Sequence, residues 1–320
     1  MASTNTKIEW CDITWNCVRG CTPVSAGCTN CYASKMAARF CGTGQPYEGL
    51  AKGGKWTGKV RCIETALNEP MHWRKPARIF VNSMSDLFHA DVPESFIWNV
   101  LQVVEQCPRH TFIILTKRPE RMAAILHEWV THPMHGRGEP LPNLWCLTSV
   151  EDQQAADERI PWLLKTPAVV RGVSCEPLIG PVSLRWPLWQ PWETGQVHDE
   201  YDGLRRISWC IVGGESGPNA RPMHIEWARS LRDECAAAGV PFHYKQHGEW
   251  APVAPNGPDN TRNAPCVAWP ALDYCQPTSY CHAMNEAYNG GTPCSVRVGK
   301  RAAGRLLDGV LHDSFPEVSR

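Results

Sequence analysis

The sequence predicts an α/β fold: a partial (β/α) barrel of six or seven parallel strands with an irregular C-terminal extension. Three observations predict it. Short β-branched apolar runs recur along the chain, each ends in an abrupt polar burst, and a helix-like stretch follows most of them. The runs are apolar throughout rather than alternating, which marks strands buried on both faces of a parallel sheet. With 320 residues the chain is also long enough for one large core and an appendage.

Taken in order, the first strand is read as Ile13 to Val18, leading into the run GCTPVSAGCTNCYASKMAARF. Pro23, Ser25 and Gly27 make a loop there, and Asn30 is placed to cap a helix beginning near Cys31. Tyr32, Met36 and Phe40 recur at i, i+4 and i+8, giving that helix an apolar face. ARIFVNSMSD is the second strand, ending in Asn82, Ser83 and Asp86, with a helix from Pro93 to Gln106 behind it. HTFIILTKRPE ends in Thr116, Lys117 and Arg118 before a helix from Pro119 to Val130. LWCLTSVED ends in Ser149, Glu151 and Asp152 before a helix to Lys165. VVRGVSCEPL carries Ser174 and Glu176, and ISWCIVGGESG carries Gly213, Gly214, Glu215 and Ser216, followed by a helix from Ile225 to Ala238. VPFHYKQHGEW, with Lys245, Gln246 and His247, completes the set.

In a barrel the C-terminal ends of all strands face one mouth, so these bursts are expected to converge on the cysteine loop. Each has an ordinary structural explanation when taken singly. Lys117 and Arg118 suit a solvated helix start, Asp152 an N-cap, and Glu176 an internal ion pair. The GGES run lacks the phosphate-loop pattern; its glycines allow either close approach to a ligand or a tight turn. Glu215 is placed to accept hydrogen bonds from an amino group or a ribose.

Composition excludes several classes. Formal net charge is zero, so no global basic field points to nucleic acid, although a local basic patch is compatible with it. Sixteen cysteines without a paired framework, after an opening MASTNTKIEW that has no apolar h-region, predict a reducing, cytoplasmic setting. No stretch approaches the roughly 20 apolar residues of a membrane span.

Cys21, Cys28 and Cys31 are the sharpest feature. Three thiolates leave one position free on a tetrahedral or cubane metal centre, and a free position accepts substrate or cofactor. A helix N-terminus at Cys31 would lower thiol pKa values. Including Cys17 turns the spacing into C-x3-C-x6-C-x2-C, a set able to close a zinc tetrahedron, while the short six-residue gap and the strand-like setting of Cys17 favour an open iron–sulfur site. Disulfides are the weakest alternative. Cys266, Cys275, Cys281 and Cys294 lie in a Pro-, Asn- and Gly-rich segment. They suit a surface insertion with free thiols better than an auxiliary cluster or zinc site.

The segments KIEW, TWN, GCTPVSAGCTNCYA, IFVNSMSDLFH, LTKRPERM, SVEDQ, SCEPLIGPV, VGGESGPNARPMH and VGKRAAGRLLDG resemble the three-cysteine-motif proteins of phages and prophages, a family of largely unknown function that itself resembles radical S-adenosylmethionine (SAM) enzymes. The likeness runs from about Lys7 to Trp250 and again from Val298 to Gly309. It implies a barrel of the radical SAM type over residues 1–250; the segment 251–296 fits the family poorly and reads as an irregular cysteine-containing insertion, with a basic helix and tail over 297–320. It also implies that Cys21, Cys28 and Cys31 ligate a [4Fe–4S] cluster with SAM on the fourth iron, that an electron donor serves it, and that a 5′-deoxyadenosyl radical is formed. Ser83, Asp86, Glu151, Glu176 and Glu215 are then candidates to bind SAM. Lys117, Arg118, Arg221 and Lys245 are candidates for a nucleic acid base or nucleotide as substrate. Two departures stand out: radical SAM enzymes usually space these cysteines C-x3-C-x2-C, not C-x6-C-x2-C, and Cys17 replaces a proline of the family. The alternatives are a zinc-stabilised nucleic-acid-binding or nuclease-partner module without redox chemistry, and a SAM-free iron–sulfur sensor or electron-transfer protein.

Overall fold

A computed structural model describes residues 6–133, 138–184, 204, 206–252, 264–271, 274–278 and 294–317. The chain opens with β1 (Ile13–Trp15) and then a small antiparallel region in which β2 (Val18–Arg19) pairs with β5 (Arg61–Cys62) and β3 (Ala51–Lys52) with β4 (Lys55–Trp56). Helix α1 (Tyr32–Ala37) lies between β2 and β3. Six further strands belong with β1: β6 (Arg78–Val81), β7 (Thr111–Thr116), β8 (Leu144–Ser149), β9 (Val170–Cys175), β10 (Trp209–Gly213) and β11 (Phe242–Gln246). Four crossovers carry α2 (Glu94–Gln106), α3 (Pro119–Thr131), α4 (Gln153–Lys165) and α5 (Ile225–Ala238).

The sheet order is β1-β6-β7-β8-β9-β10-β11. Sequence order and spatial order agree throughout, which is a singly wound series of β/α units and not a doubly wound sheet with a reversal. β1 and β11 are its edges, so the sheet is open, as the sequence predicts. All six residues of β8 are buried, as are Phe96, Ile97, Val100, Leu101, Val103 and Val104 on α2, so the apolar-throughout strands and the 3.6-period helix face are where the pattern put them.

Two compact units divide the chain: Met1–Ser149, Glu158–Val173 and Glu317–Arg320 in the first, Val150–Asp157 and Ser174–Pro316 in the second. In the first, the strand expected from Ile13 to Val18 breaks after Trp15. Asn16 turns its side-chain oxygen to Met84 N–H and Ser83 Oγ, and Val18 N–H is taken by Asn82 Oδ1 rather than by the sheet. The cysteine helix differs too. It begins at Tyr32 with Cys31, not Asn30, at its N-cap, and it buries Ala33, Ser34 and Ala37. Tyr32, Met36 and Phe40, the expected core-facing stripe, are 53%, 41% and 47% exposed. The small residues between them pack closely on the β3–β4 hairpin, where Ser34 Oγ donates to Gly54 O at 2.7 Å, and the large ones are left outside.

In the second unit, Asp152 caps α4 through Ala155 N–H at 2.9 Å, and His224 caps α5 through Glu226 N–H. The segment read as an irregular insertion contains strand structure instead: β12 (Trp250–Pro252), β13 (Cys266–Ala271), β14 (Tyr274–Thr278) and β15 (Cys294–Arg297) form an antiparallel sheet in the order β12-β15-β13-β14. Cys266 and Cys294 are free thiols, as expected, but they pack with Ala268 and Val296 in the sheet's apolar core instead of lying on a surface. Cys275 is in β14, and Cys281 lies outside the described residues.

The basic tail forms a single turn, α6 (Lys300–Ala303), and then runs beside β11. Tyr244 N–H donates to His312 O at 2.9 Å and Ser314 N–H to Phe242 O at 3.3 Å, so the tail covers that edge strand. Among the described residues no helix is long and apolar enough to cross a membrane.

Candidate metal centre

The cysteine loop is fixed at its start. Asn82, at φ 61°, follows β6 and presents Oδ1 to Val18 N–H at 3.0 Å and to the Cys17 thiol at 3.6 Å. Ser85 Oγ donates to Val18 O at 2.8 Å. Gly20 has φ 89°, and a Cβ there would stand 2.1 Å from Lys59 O, so only glycine passes this point. Beyond it, a 3-10 turn over Ala26–Cys28 and the bond from Cys31 N–H to Cys28 O, 3.2 Å, join the last two cysteines. Ser25 Oγ lies 4.0 Å from Cys28 Sγ.

A polar network ties the loop to the ends of β6 and β7. Asp86, 5% exposed, accepts from Thr116 Oγ1 at 2.7 Å, Lys117 N–H at 3.2 Å, Phe88 N–H at 3.0 Å and the Arg118 guanidinium at 2.8 Å. The same guanidinium donates to Thr22 O at 3.0 Å and Thr22 Oγ1 at 2.9 Å, beside Cys21. His89 Nδ1 accepts from Asp91 N–H, which places the proton of the neutral ring on Nε2, 2.6 Å from Thr22 Oγ1. Polar ends of β1, β6 and β7 therefore meet at the loop, as barrel geometry predicts. His89 and Thr22 were not singled out in the sequence, although Thr22 adjoins Cys21 and His89 stands one turn beyond Asp86.

Electrostatics separate the cysteines. Burial pushes the Cys21 thiol up to about 12, the Asp86 carboxylate adds to the rise, and Arg118 opposes it. Cys17 is fully buried, its thiol is pushed higher still by desolvation, and its hydrogen goes to Asn82. Cys21, Cys28 and Cys31 are partly exposed. Cys17 is thus set apart from the other three by its burial and its bond to Asn82.

Among the described residues no three His, Cys, Asp or Glu side chains converge as ligands of a single ion. A cubane asks for something else, one thiolate at each of several corners. Three partly exposed thiols on one loop fit that donor chemistry, with Cys21 near enough to Cys28 for their charges to interact.

The other predicted residues have partners within their own units. Ser83 donates to Asn16 Oδ1, and its carbonyl accepts the Tyr32 hydroxyl. In the second unit, Glu176 pairs with Lys245 at 2.7 Å and accepts from Gln246 Nε2 at 3.3 Å, while Glu215 receives Arg221 through Nε at 2.9 Å and its terminal nitrogen at 2.6 Å. Glu151 is fully buried, with its carbonyl accepting from Ile179 N–H. Of the GGES glycines, Gly214 serves chain packing, because a Cβ on it would lie 2.0 Å from His247 O.

The chain matches, over residues 5–316, a family described as a protein of unknown function (DUF5131). It belongs to that family. No curated protein matches this DUF5131 chain. Among solved structures it is similar to spore photoproduct lyase complexed with dinucleoside spore photoproduct, at 10% identity and a TM-score of 0.36, covering 88% of this chain and 75% of that one. A mutant of the same lyase gives 11% identity and a TM-score of 0.38, covering 90% and 78%. Likeness at this level carries no argument about the DUF5131 chain, whose reading rests on its own residues.

Proposed function

We propose that this protein is an iron–sulfur enzyme of the radical SAM type, acting on a nucleic acid base or nucleotide. The observation that carries the reading is the sorting of the cysteines: Cys21, Cys28 and Cys31 are partly exposed on a loop tied to residues that follow β6 and β7, while Cys17 is buried and bonded to Asn82. These three would each hold one iron of a [4Fe–4S] cluster. With SAM bound and one electron from an external donor, such a cluster would supply reductive cleavage of the sulfonium to methionine and a 5′-deoxyadenosyl radical.

The chain's own residues position and shield. Arg118 is a fork, one arm on Asp86 and the other on Thr22, so it fixes the loop at the residue after Cys21 and sets a positive charge beside a thiol that must ionise to bind iron. His89 keeps Thr22 in place from the other side. Asp86 spends its carboxylate on this clamp, so its part is to orient the loop.

Anaerobic purification with iron, sulfide and zinc analysis tests the reading. A brown protein with about four irons is expected, and 5′-deoxyadenosine should form under dithionite with SAM. Colourless protein with one zinc overturns it in favour of a structural module; four irons without SAM cleavage overturn it in favour of a sensor.

A further inference from the structure

Three of the cations that the sequence nominates for a phosphate-bearing substrate are already paired, Arg118 with Asp86, Arg221 with Glu215 and Lys245 with Glu176. Unpaired positive charge is concentrated elsewhere. From Arg19 to Arg61 the chain carries seven Lys and Arg residues and a single acid, Glu48, although the whole protein is neutral. Arg39, Lys52, Lys55, Lys59 and Arg61 are exposed. None of these five is in an ion pair among the described residues.

The same segment holds the exposed stripe Tyr32, Met36 and Phe40. Of the eight large apolar side chains exposed among the described residues, four lie between Val24 and Phe40, so apolar exposure and basic charge coincide. They share one packed module. Ala37 of α1 packs with Tyr47, Leu50, Ala51 and Trp56, joining the helix to the β3–β4 hairpin that bears Lys52 and Lys55. Lys35, one turn beyond Cys31, has an ammonium without a hydrogen-bond partner, which adds to the positive charge of the module.

We propose that residues 32–61 are the docking surface for a single-stranded nucleic acid, which this module holds next to the cysteine loop. The inference deepens the proposed function by naming its substrate class, and it rests on that reading for any chemistry after binding. Ammonium groups displace the counterions of phosphates, and exposed aromatic faces stack on unpaired bases whatever their sequence. A protein partner fits less well, because lysine, which supplies four of the seven cations, is depleted at protein interfaces.

The test is fluorescence anisotropy on anaerobically purified holoprotein with labelled 12-mers of oligo-dT and oligo-rU, a duplex of equal length, and unlabelled polyglutamate as competitor. Binding of either single strand is expected, with affinity falling as salt rises; the better one identifies DNA or RNA. K52Q/K55Q/K59Q should weaken binding at least tenfold and reduce the salt slope by about 2, at roughly 0.7 per phosphate contact. F40A should weaken it about tenfold with the slope unchanged. The proposal is overturned if neither strand binds, if the triple variant binds as the parent does, if the duplex binds as well, or if polyglutamate competes as well as an oligonucleotide. Iron content and 5′-deoxyadenosine are measured on the same samples. Oligonucleotide binding without them keeps the surface and removes the radical reading, and the converse keeps that reading and removes the surface.

Discussion

At the scale of single residues, the cysteines differ by where their hydrogens go. Cys17 is a core thiol bonded to Asn82, so Cys17→Ala should leave iron and sulfide content at the parent level, whereas Cys21→Ser, Cys28→Ser and Cys31→Ser should each lose most of the iron. Metal analysis of the four variants decides it. Arg118 is the second telling residue. Arg118→Gln leaves a buried Asp86 carboxylate without its counter-ion and should cost about 3 kcal/mol in urea unfolding. Arg118→Lys should recover only part, because a point charge cannot hold Asp86 and Thr22 together as a fork does.

Elements here are shaped by close approaches of backbone to backbone. Gly20 and Gly214 have no room for a Cβ, each facing a carbonyl oxygen of another segment, at 2.1 Å and 2.0 Å. Gly20→Ala combines that clash with a left-handed φ and should cost about 2 kcal/mol or more, with reduced iron loading because the cysteine loop starts there. The tail that covers β11 is held by Asp308, which accepts from Arg229 and Arg232. Those hydrogen bonds hold the Asp308 carboxyl down at about 2, from an ordinary 3.8. A depressed carboxylate stabilises above its unfolded value and loses that contribution as pH falls through the folded one. Asp308→Asn should remove the charge at neutral pH, and hydrogen exchange at the Tyr244 amide, which bonds to His312 O, should speed up.

For the whole molecule, buried histidines set the acid limit. His110, His224 and His247 all sit below the ordinary 6.5, each chiefly through burial. Near that value the unfolded chain binds more protons than the folded one, so stability rises with pH and is lost as pH falls below about 6.5. The urea midpoint should therefore be lower at about pH 5.5 than at about pH 7.5; an equal or higher midpoint at the acid pH contradicts the assignment of burial as cause.

The sequence by itself determined the seven apolar strands, their order of polar endings, the crossover helices and the cysteines to watch, because burial on two faces and a 3.6-residue period leave direct marks on residue choice. Only the tertiary structure decided which thiols are available, that Asp86 and Arg118 are spent on one another, and that Tyr32, Met36 and Phe40 face outward. Those outcomes turn on contacts between segments distant in the chain: Asn82 with Cys17, Thr22 with Arg118, Gly54 with Ser34. Periodicity reports that a face is apolar, and only the neighbour packed against the helix decides which face is covered.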